Sequence, residues 1–291
     1  MVHDELMSDT PTIGVIGGSG LYDLPGLADV THVRVATPFG DPSDEIVTGR
    51  MGDARLLFLP RHGRGHRILP HEVNARANIY ALKELGAEWV IAVSAVGSMR
   101  EDIRPGDLAV PHQYIDRTRA RPSTFFGDGI AAHVSFADPV CLSLAGWLAD
   151  AADAAGARVH RGGTYVVIDG PQFSTRAESK LYRSWGVDVI GMTALPEAKL
   201  AREAEMSYAT LALATDYDVW HHSEEAVTAD AVVAVMRKNV AVARDVVART
   251  VALVHGPSPH AHALENAIMT APAAISPAAR ERLGLLIGKY L

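Results

Sequence analysis

Apolar residues in this chain come in short, nearly unbroken blocks, separated by stretches with helical spacing. TIGVIGGSG (12–20) is a β-branched strand that runs into a glycine loop, and RLLFLP (55–60) and EWVIAVSAVGS (88–98) are buried strands. Between them, HEVNARANIYALKELG (71–86) places Val73, Ala77, Tyr80, Ala81 and Leu85 along one side of a helix closed by glycine. The alternation continues with helices over 140–156 and 176–186, strands over 164–170 and 187–192, and a helix opened by Pro196. A strand over 208–216 and a long alanine- and valine-rich helix within 224–254 complete it. Strands that alternate with helices, and are apolar on both faces, predict an α/β sheet covered on each side. No composition break divides the chain. The expected organisation is a polar tail over 1–11, one domain over 12–254, and a linker with a helical extension over 255–291.

Composition narrows the function classes. The chain has 291 residues, a net charge of -7 and 21% charged residues. An acidic balance argues against a nucleic-acid or anionic-membrane surface. Cys141 is the only cysteine, so no intrachain disulfide forms and a reducing cytoplasm is the expected location. The opening MVHDELMSDTP is acidic and lacks the apolar core of a secretory signal. No apolar run reaches membrane-spanning length.

Candidate chemistry gathers at strand ends. The glycines of GVIGGSG stand at 14, 17, 18 and 20, which is not dinucleotide-fold spacing. Amides around Gly17, Gly18 and Ser19 suit an anion nest, and suit an ordinary turn equally. RHGRGH places Arg61, His62, Arg64 and His66 directly after a strand. Arg61 there fits a phosphate or carboxylate, against the alternative of a solvated basic loop. The two histidines are in a glycine-rich loop, so no metal site is expected. Ser94 and Thr193 are hydroxyls beside small residues, and Glu197 fits a helix first turn on dipole grounds alone. In LALATDYDVWHH, Asp216 and Asp218 share one side of an extended chain and would face a group rich in hydrogen-bond donors, against the alternative of a solvated loop or acids capping a following helix. No G-x-S-x-G nucleophile elbow occurs, so covalent catalysis has no candidate.

Taken together, GVIGGSGLY, TPFGDPSD, LPRHGRGHRILPHEVNARANIYALKELG, AVGSMREDIRPGDL, IDRT, GPQFSTRAES, GMTALPEAKLAREAEMSYA and TDYD closely resemble the 5'-methylthioadenosine phosphorylases of the purine nucleoside phosphorylase superfamily. The resemblance runs through residues 12–245; the tail from 255 matches no pattern of the family. It implies a single-domain α/β fold of the phosphorylase/hydrolase type, with a mixed central β-sheet flanked by helices. It also implies a homotrimer, or a hexamer built as a dimer of trimers. No cofactor is expected, and inorganic phosphate is the co-substrate. By resemblance, Ser19, Arg61, His62, Ser94, Ala95 and Thr193 would surround phosphate. Ser19 and Ser94 stand where many relatives have threonine, which keeps the hydroxyl. Ala95 and Met192 would line the ribose, Phe173 would stack on the base with Ser174 nearby, and Val227 would border the 5'-substituent. His133 would reach that substituent from a neighbouring subunit. Asp216 would face the purine N7 and Asp218 the 6-amino group. Gln172 replaces the more usual arginine of GPRF, outside these contacts.

The chemistry agrees with that assignment. Glycosidic cleavage leaves an oxocarbenium-like ribosyl group and an electron-rich purine. A phosphate dianion stabilises the first, and a protonated carboxyl neutralises the second. Three rivals stand beside it: a 6-oxopurine phosphorylase, a dinucleotide-dependent oxidoreductase, and a non-catalytic nucleoside-binding module.

Overall fold

The computed structural model describes residues 10–18, 21, 24–221 and 229–291. Its centre is a mixed sheet of eleven strands. Strands β1 (Thr12–Gly17), β2 (Ala28–Val33), β3 (Ile46–Met51) and β4 (Ala54–Pro60) come first, followed by helix α1 (Ala75–Glu84) and the ten-residue β5 (Trp89–Ser98). Then come β6 (Leu108–Val110), β7 (Gln113–Arg117), α2 (Leu142–Ala154), β8 (Val159–Arg161), β9 (Thr164–Ile168) and α3 (Arg176–Ser184). The chain ends with β10 (Val189–Gly191), α4 (Ala194–Glu203), β11 (Ser207–Asp216), α5 (Ala229–Leu253) and α6 (Pro277–Ile287). The strands and helices read from the apolar blocks are all present. β2 is exposed along its length, and β6 and β8 have three residues each, so they leave no periodic mark in the sequence.

Alternation along the central strands divides the core. Trp89, Ile91 and Val93 of β5, with Ala209, Leu211 and Leu213 of β11, face the side covered by α2 and α5. Val90, Ala92 and Val96, with Tyr208, Ala212 and Ala214, face α1, α4 and α6. Both faces are therefore buried, as the unbroken apolar blocks require. Local capping sets the helix starts. The Asn74 side chain accepts from the Ala77 amide, and Thr175 and Glu178 form a capping box on α3.

β5 organises the sheet. One of its edges pairs with β11 along its length. The other pairs with β1 only as far as Ala92, then with β10 from Gly97. β1 runs parallel to β5 and β10 antiparallel, so the sheet opens between them at residues 93–96. Crevices of this kind, beyond the carboxyl ends of parallel strands where neighbours diverge, are where α/β sheets bind ligands.

The segment 255–291 packs onto the core. Leu264, Ile275, Leu283, Leu286 and Ile287 join the cluster around α1 and α4. HGPSPHAHA, expected as a solvated linker, is partly inside: Ser258 is buried and shares a hydrogen bond of 2.8 Å with the Ser207 hydroxyl. Glu205, buried and left-handed at φ 56°, takes hydrogen bonds from the Leu264 amide, the Tyr290 hydroxyl and Lys289 Nζ. No helix among the described residues is long and apolar enough to cross a membrane.

Candidate functional site

The opened edge of β5 presents Ser94 on the same face as Val90, Ala92 and Val96, toward α4. Thr193 is the N-cap residue of α4, and Leu195, two residues on, is extended, as a residue before proline prefers. Ser94 Oγ and Thr193 Oγ1 are both buried without a hydrogen-bond partner. Buried hydroxyls are nearly always satisfied, so two orphans at one crevice point to an acceptor that binds there.

Arg61 stands at the end of β4 with 3% exposure, so the solvated-loop alternative fails for it. Its Nε and Nη2 donate to the two oxygens of Glu197 at 2.5 and 3.1 Å, Nη1 donates to the Val93 carbonyl at 3.0 Å, and Nη2 also reaches the Ile16 carbonyl at 3.4 Å. Glu197 is 1% exposed and also accepts from the Tyr208 hydroxyl. The helix-dipole reading of Glu197 is therefore incomplete: it is the buried counter-ion of Arg61. His62 shares a 2.8 Å hydrogen bond between Nδ1 and the Ile68 carbonyl and stacks on His66 at 4.4 Å. Burial, with Arg61 beside it, pulls its pKa down to about 4. A neutral ring that donates from Nδ1 leaves Nε2 as an acceptor, suited to the proton of a monohydrogen phosphate.

Arg121, absent from the sequence reading, shares the Arg61 and His62 pocket with Met192 and Thr193. It donates to Asp169 Oδ1 at 3.0 Å and to the carbonyls of Met192 and Leu195 at 2.8 and 3.0 Å. It thereby fixes the turn that carries Met192 and Thr193. The signal was available as RTRARP, but no local pattern separates one fixed arginine from the two exposed ones beside it.

The carboxylate pair lies at the other end of the opening. Thr215 makes a bulge: Ala214 pairs with Val96 and Asp216 with Gly97. A Cβ at Gly97 would stand 3.0 Å from Asp216 Oδ1 and 3.4 Å from the Asp218 Cβ, so glycine makes room for both acids. Asp216 accepts from the Asp218 amide at 2.8 Å and from the Thr215 hydroxyl at 2.7 Å. Asp218 is buried in the left-handed region at φ 51°, and its Oδ2 has no partner. Burial first, and the neighbouring Asp216 charge, push its pKa up. Asp218 therefore holds its proton more readily than an ordinary aspartate does.

Ser174 is buried with an unpartnered hydroxyl, and Phe173 is 44% exposed. Both precede α3, whose Arg176 donates to the Val219 carbonyl beside Asp218. Met192 packs its sulfur over Gly170, where a Cβ would stand 2.3 Å away. Ala95 lies in the strand opening beside Ser94. His133 is exposed and lines neither the pocket at Arg61 nor the one between His62 and Val240; its amide donates to the Ala267 carbonyl, so the tail pairs with its segment. Ser19 and Val227 lie outside the described residues.

Comparison with known proteins adds an independent line. Residues 12–252 match the model of the phosphorylase superfamily. The chain is 58% identical over 282 residues to the S-methyl-5'-thioadenosine phosphorylase of Geobacter sulfurreducens, covering 96% of this chain and 99% of that one. Its fold is similar to a methylthioadenosine phosphorylase crystal structure from an antarctic soil metagenomic library. That match has a TM-score of 0.91 and 49% identity, over 96% of this chain and 99% of that one. A mutant adenosine/methylthioadenosine phosphorylase from Schistosoma mansoni, solved with methylthioadenosine, matches with a TM-score of 0.79 and 40% identity over 84% of this chain and 91% of that one. The first two matches extend beyond residue 255, so the tail has counterparts in relatives although its motifs were not legible.

Proposed function

The chain belongs to the phosphorylase superfamily, and from that premise we propose that it cleaves 5'-methylthioadenosine with inorganic phosphate, giving adenine and 5-methylthioribose 1-phosphate. The observation that carries this reading is the pairing, across one strand opening, of orphaned hydroxyls at Ser94 and Thr193 with the acid pair Asp216–Asp218. One end suits an anion and the other a basic, amino-bearing heterocycle.

Phosphate takes the hydroxyls of Ser94 and Thr193, the remaining hydrogen of Arg61 and, through its own proton, His62 Nε2. Its charge stabilises the oxocarbenium-like ribosyl group as the glycosidic bond breaks, and one phosphate oxygen then bonds to C1'. Met192 and Ala95 flank the sugar, and Phe173 covers the base. The two acids work as a coupled pair. A 6-amino group needs an acceptor, so its arrival favours ionised Asp218. The proton displaced from Asp218 becomes available to Asp216 and N7, and adenine leaves neutral. A 6-oxopurine instead accepts from protonated Asp218 and keeps that proton from N7, which slows its release. The reaction requires no metal or organic cofactor in this reading.

The site is completed in a homotrimer, with His133 facing the 5'-substituent of a neighbouring subunit's nucleoside; its exposure and its absence from the lining of this chain's Arg61 pocket support that placement. The single cysteine and acidic charge fit a cytoplasmic enzyme. Purine release from methylthioadenosine, methylthioinosine, adenosine and inosine, with and without phosphate, tests the reading. Phosphate-dependent release fastest from methylthioadenosine is expected. Equal release without phosphate would make the protein a hydrolase, and none under either condition a binding module.

A further inference from the structure

Beneath the strand opening, Tyr165 of β9 is fully buried at 0% exposure, yet its phenolic oxygen has no hydrogen-bond partner. A tyrosine hydroxyl that deep normally finds one. The polar groups acting on it are the hydroxyls of Thr193 and Ser94, then the Arg61 charge. Those two hydroxyls likewise lack a well-formed partner, so three polar oxygens gather there with no settled hydrogen bond among them. The backbone is shaped around the phenol: a Cβ at Gly191 would stand 2.3 Å from the Tyr165 oxygen and 3.1 Å from Cζ. The ring is held edge-on against Tyr114, at 5.9 Å and 64°, and the Tyr114 hydroxyl is itself tied to Thr210 at 2.9 Å. Burial raises the Tyr165 pKa above its ordinary value, so the phenol stays a donor at neutral pH.

We propose that Tyr165 is a positioning residue of the phosphate site, donating its O–H to Thr193 Oγ1 and so turning the Thr193 proton toward the bound anion. A threonine hydroxyl has one hydrogen and two lone pairs. When the phenol occupies one lone pair, the single hydrogen is left for phosphate, and each bond in the chain polarises the next. This rests on the phosphorolytic reading above, because it supplies the anion.

Tyr165→Phe removes one oxygen and keeps the ring contacts, so it isolates the effect. Thermal melting of wild type and variant, with and without inorganic phosphate, is read beside the KM values for phosphate and nucleoside. The free variant is expected to melt at or above the wild-type temperature, since it loses only an orphaned hydroxyl. Its phosphate-induced rise in Tm should shrink, and its phosphate KM should rise roughly tenfold, with the nucleoside KM within about twofold. In a Thr193→Val background, Tyr165→Phe should add almost nothing. Equal phosphate-induced shifts with an unchanged phosphate KM would overturn the positioning role, as would full additivity with Thr193→Val or a matching rise in both KM values. A wild type with no phosphate-induced shift and no phosphate dependence would instead overturn the phosphorolytic reading itself.

Discussion

Arg61 and Glu197 form a two-point ion pair with both side chains sealed from solvent, at 2.5 and 3.1 Å. The arginine proposed to face phosphate therefore carries its own counter-charge, and its pull on an anion is weaker than that of a lone guanidinium. Removing either partner strands a buried charge, which destabilises by about 3–5 kcal/mol. Glu197→Ala and Arg61→Ala should each shift the urea midpoint accordingly, and changing both to methionine should destabilise by much less than the sum. Arg61→Ala should also raise the phosphate KM about tenfold while leaving the nucleoside KM nearly fixed. Additive stability losses would dissolve the pair as an energetic unit.

The acids at the base end predict two different kinds of damage. Asp218→Asn tolerates the left-handed backbone at φ 51° and removes a carboxyl that burial disfavours in its charged form. It should stabilise the free protein at neutral pH while moving preference from methylthioadenosine toward methylthioinosine by roughly ten- to a hundredfold. Asp216→Asn should lower kcat for every purine that needs N7 protonated. Since a 6-oxo group wants Asp218 protonated, the methylthioinosine-to-methylthioadenosine ratio of kcat/KM should rise as pH falls. A ratio independent of both pH and Asp218→Asn would remove that carboxylate from purine selection.

Stability should depend on pH through groups that pull in opposite senses. Burial lowers the pKa values of His62 and His260 to about 4. Each contributes stability that is complete above the unfolded value near 6.5 and is lost as pH falls through about 4. Glu203, which accepts from the Thr124 hydroxyl and the Phe125 amide, is raised by burial to about 6. Its contribution is complete below its unfolded value and declines as pH rises through 6, by about 2 kcal/mol in all. Glu203→Gln should therefore steepen the net loss of stability on acidification, and His260→Asn should flatten it. Denaturation midpoints measured from pH 4 to 8 distinguish the two; parallel curves for all three proteins would contradict both assignments.

Deleting the last four residues tests the tail. It removes Lys289 and Tyr290 from Glu205, leaving a buried carboxylate with the Leu264 amide as its remaining hydrogen bond. A loss of about 1–3 kcal/mol is expected. Glu205→Gln combined with the deletion should recover part of it. A deletion without effect on the midpoint would mean that the tail is held by its apolar contacts alone.

Much of this was legible because it depends on local chemistry. The apolar blocks of β1, β4, β5 and β11 reveal strands buried on both faces, and Thr175 with Glu178 announces the start of α3. The hydroxyls and acids at the strand ends stood out for the same reason. What stayed hidden depends on partners distant in sequence. Glu197 read as a dipole residue because its arginine is 136 positions away. Arg121 read as one of several basic residues because its acceptors include the Met192 carbonyl, 71 positions on. Tyr165 looked like any strand tyrosine until Ser94 and Thr193 were brought beside it. The raised pKa of Asp218 likewise follows from burial, which spacing alone does not encode.

The ten residues of β5 act as a common ruler for the whole reaction centre. Trp89 to Ala92 set its register against β1, Ser94 and Ala95 fall in the opening, and Gly97 pairs with Asp216 on one edge and Ile190 on the other. A single-residue insertion or deletion anywhere in this strand would displace the anion end and the base end together, and would turn every side chain beyond it to the opposite face. Changes in chain length should therefore be absent from this strand even where the surrounding loops vary freely. Substrate preference can diverge by substitution at either end of the ruler, but not by altering its length.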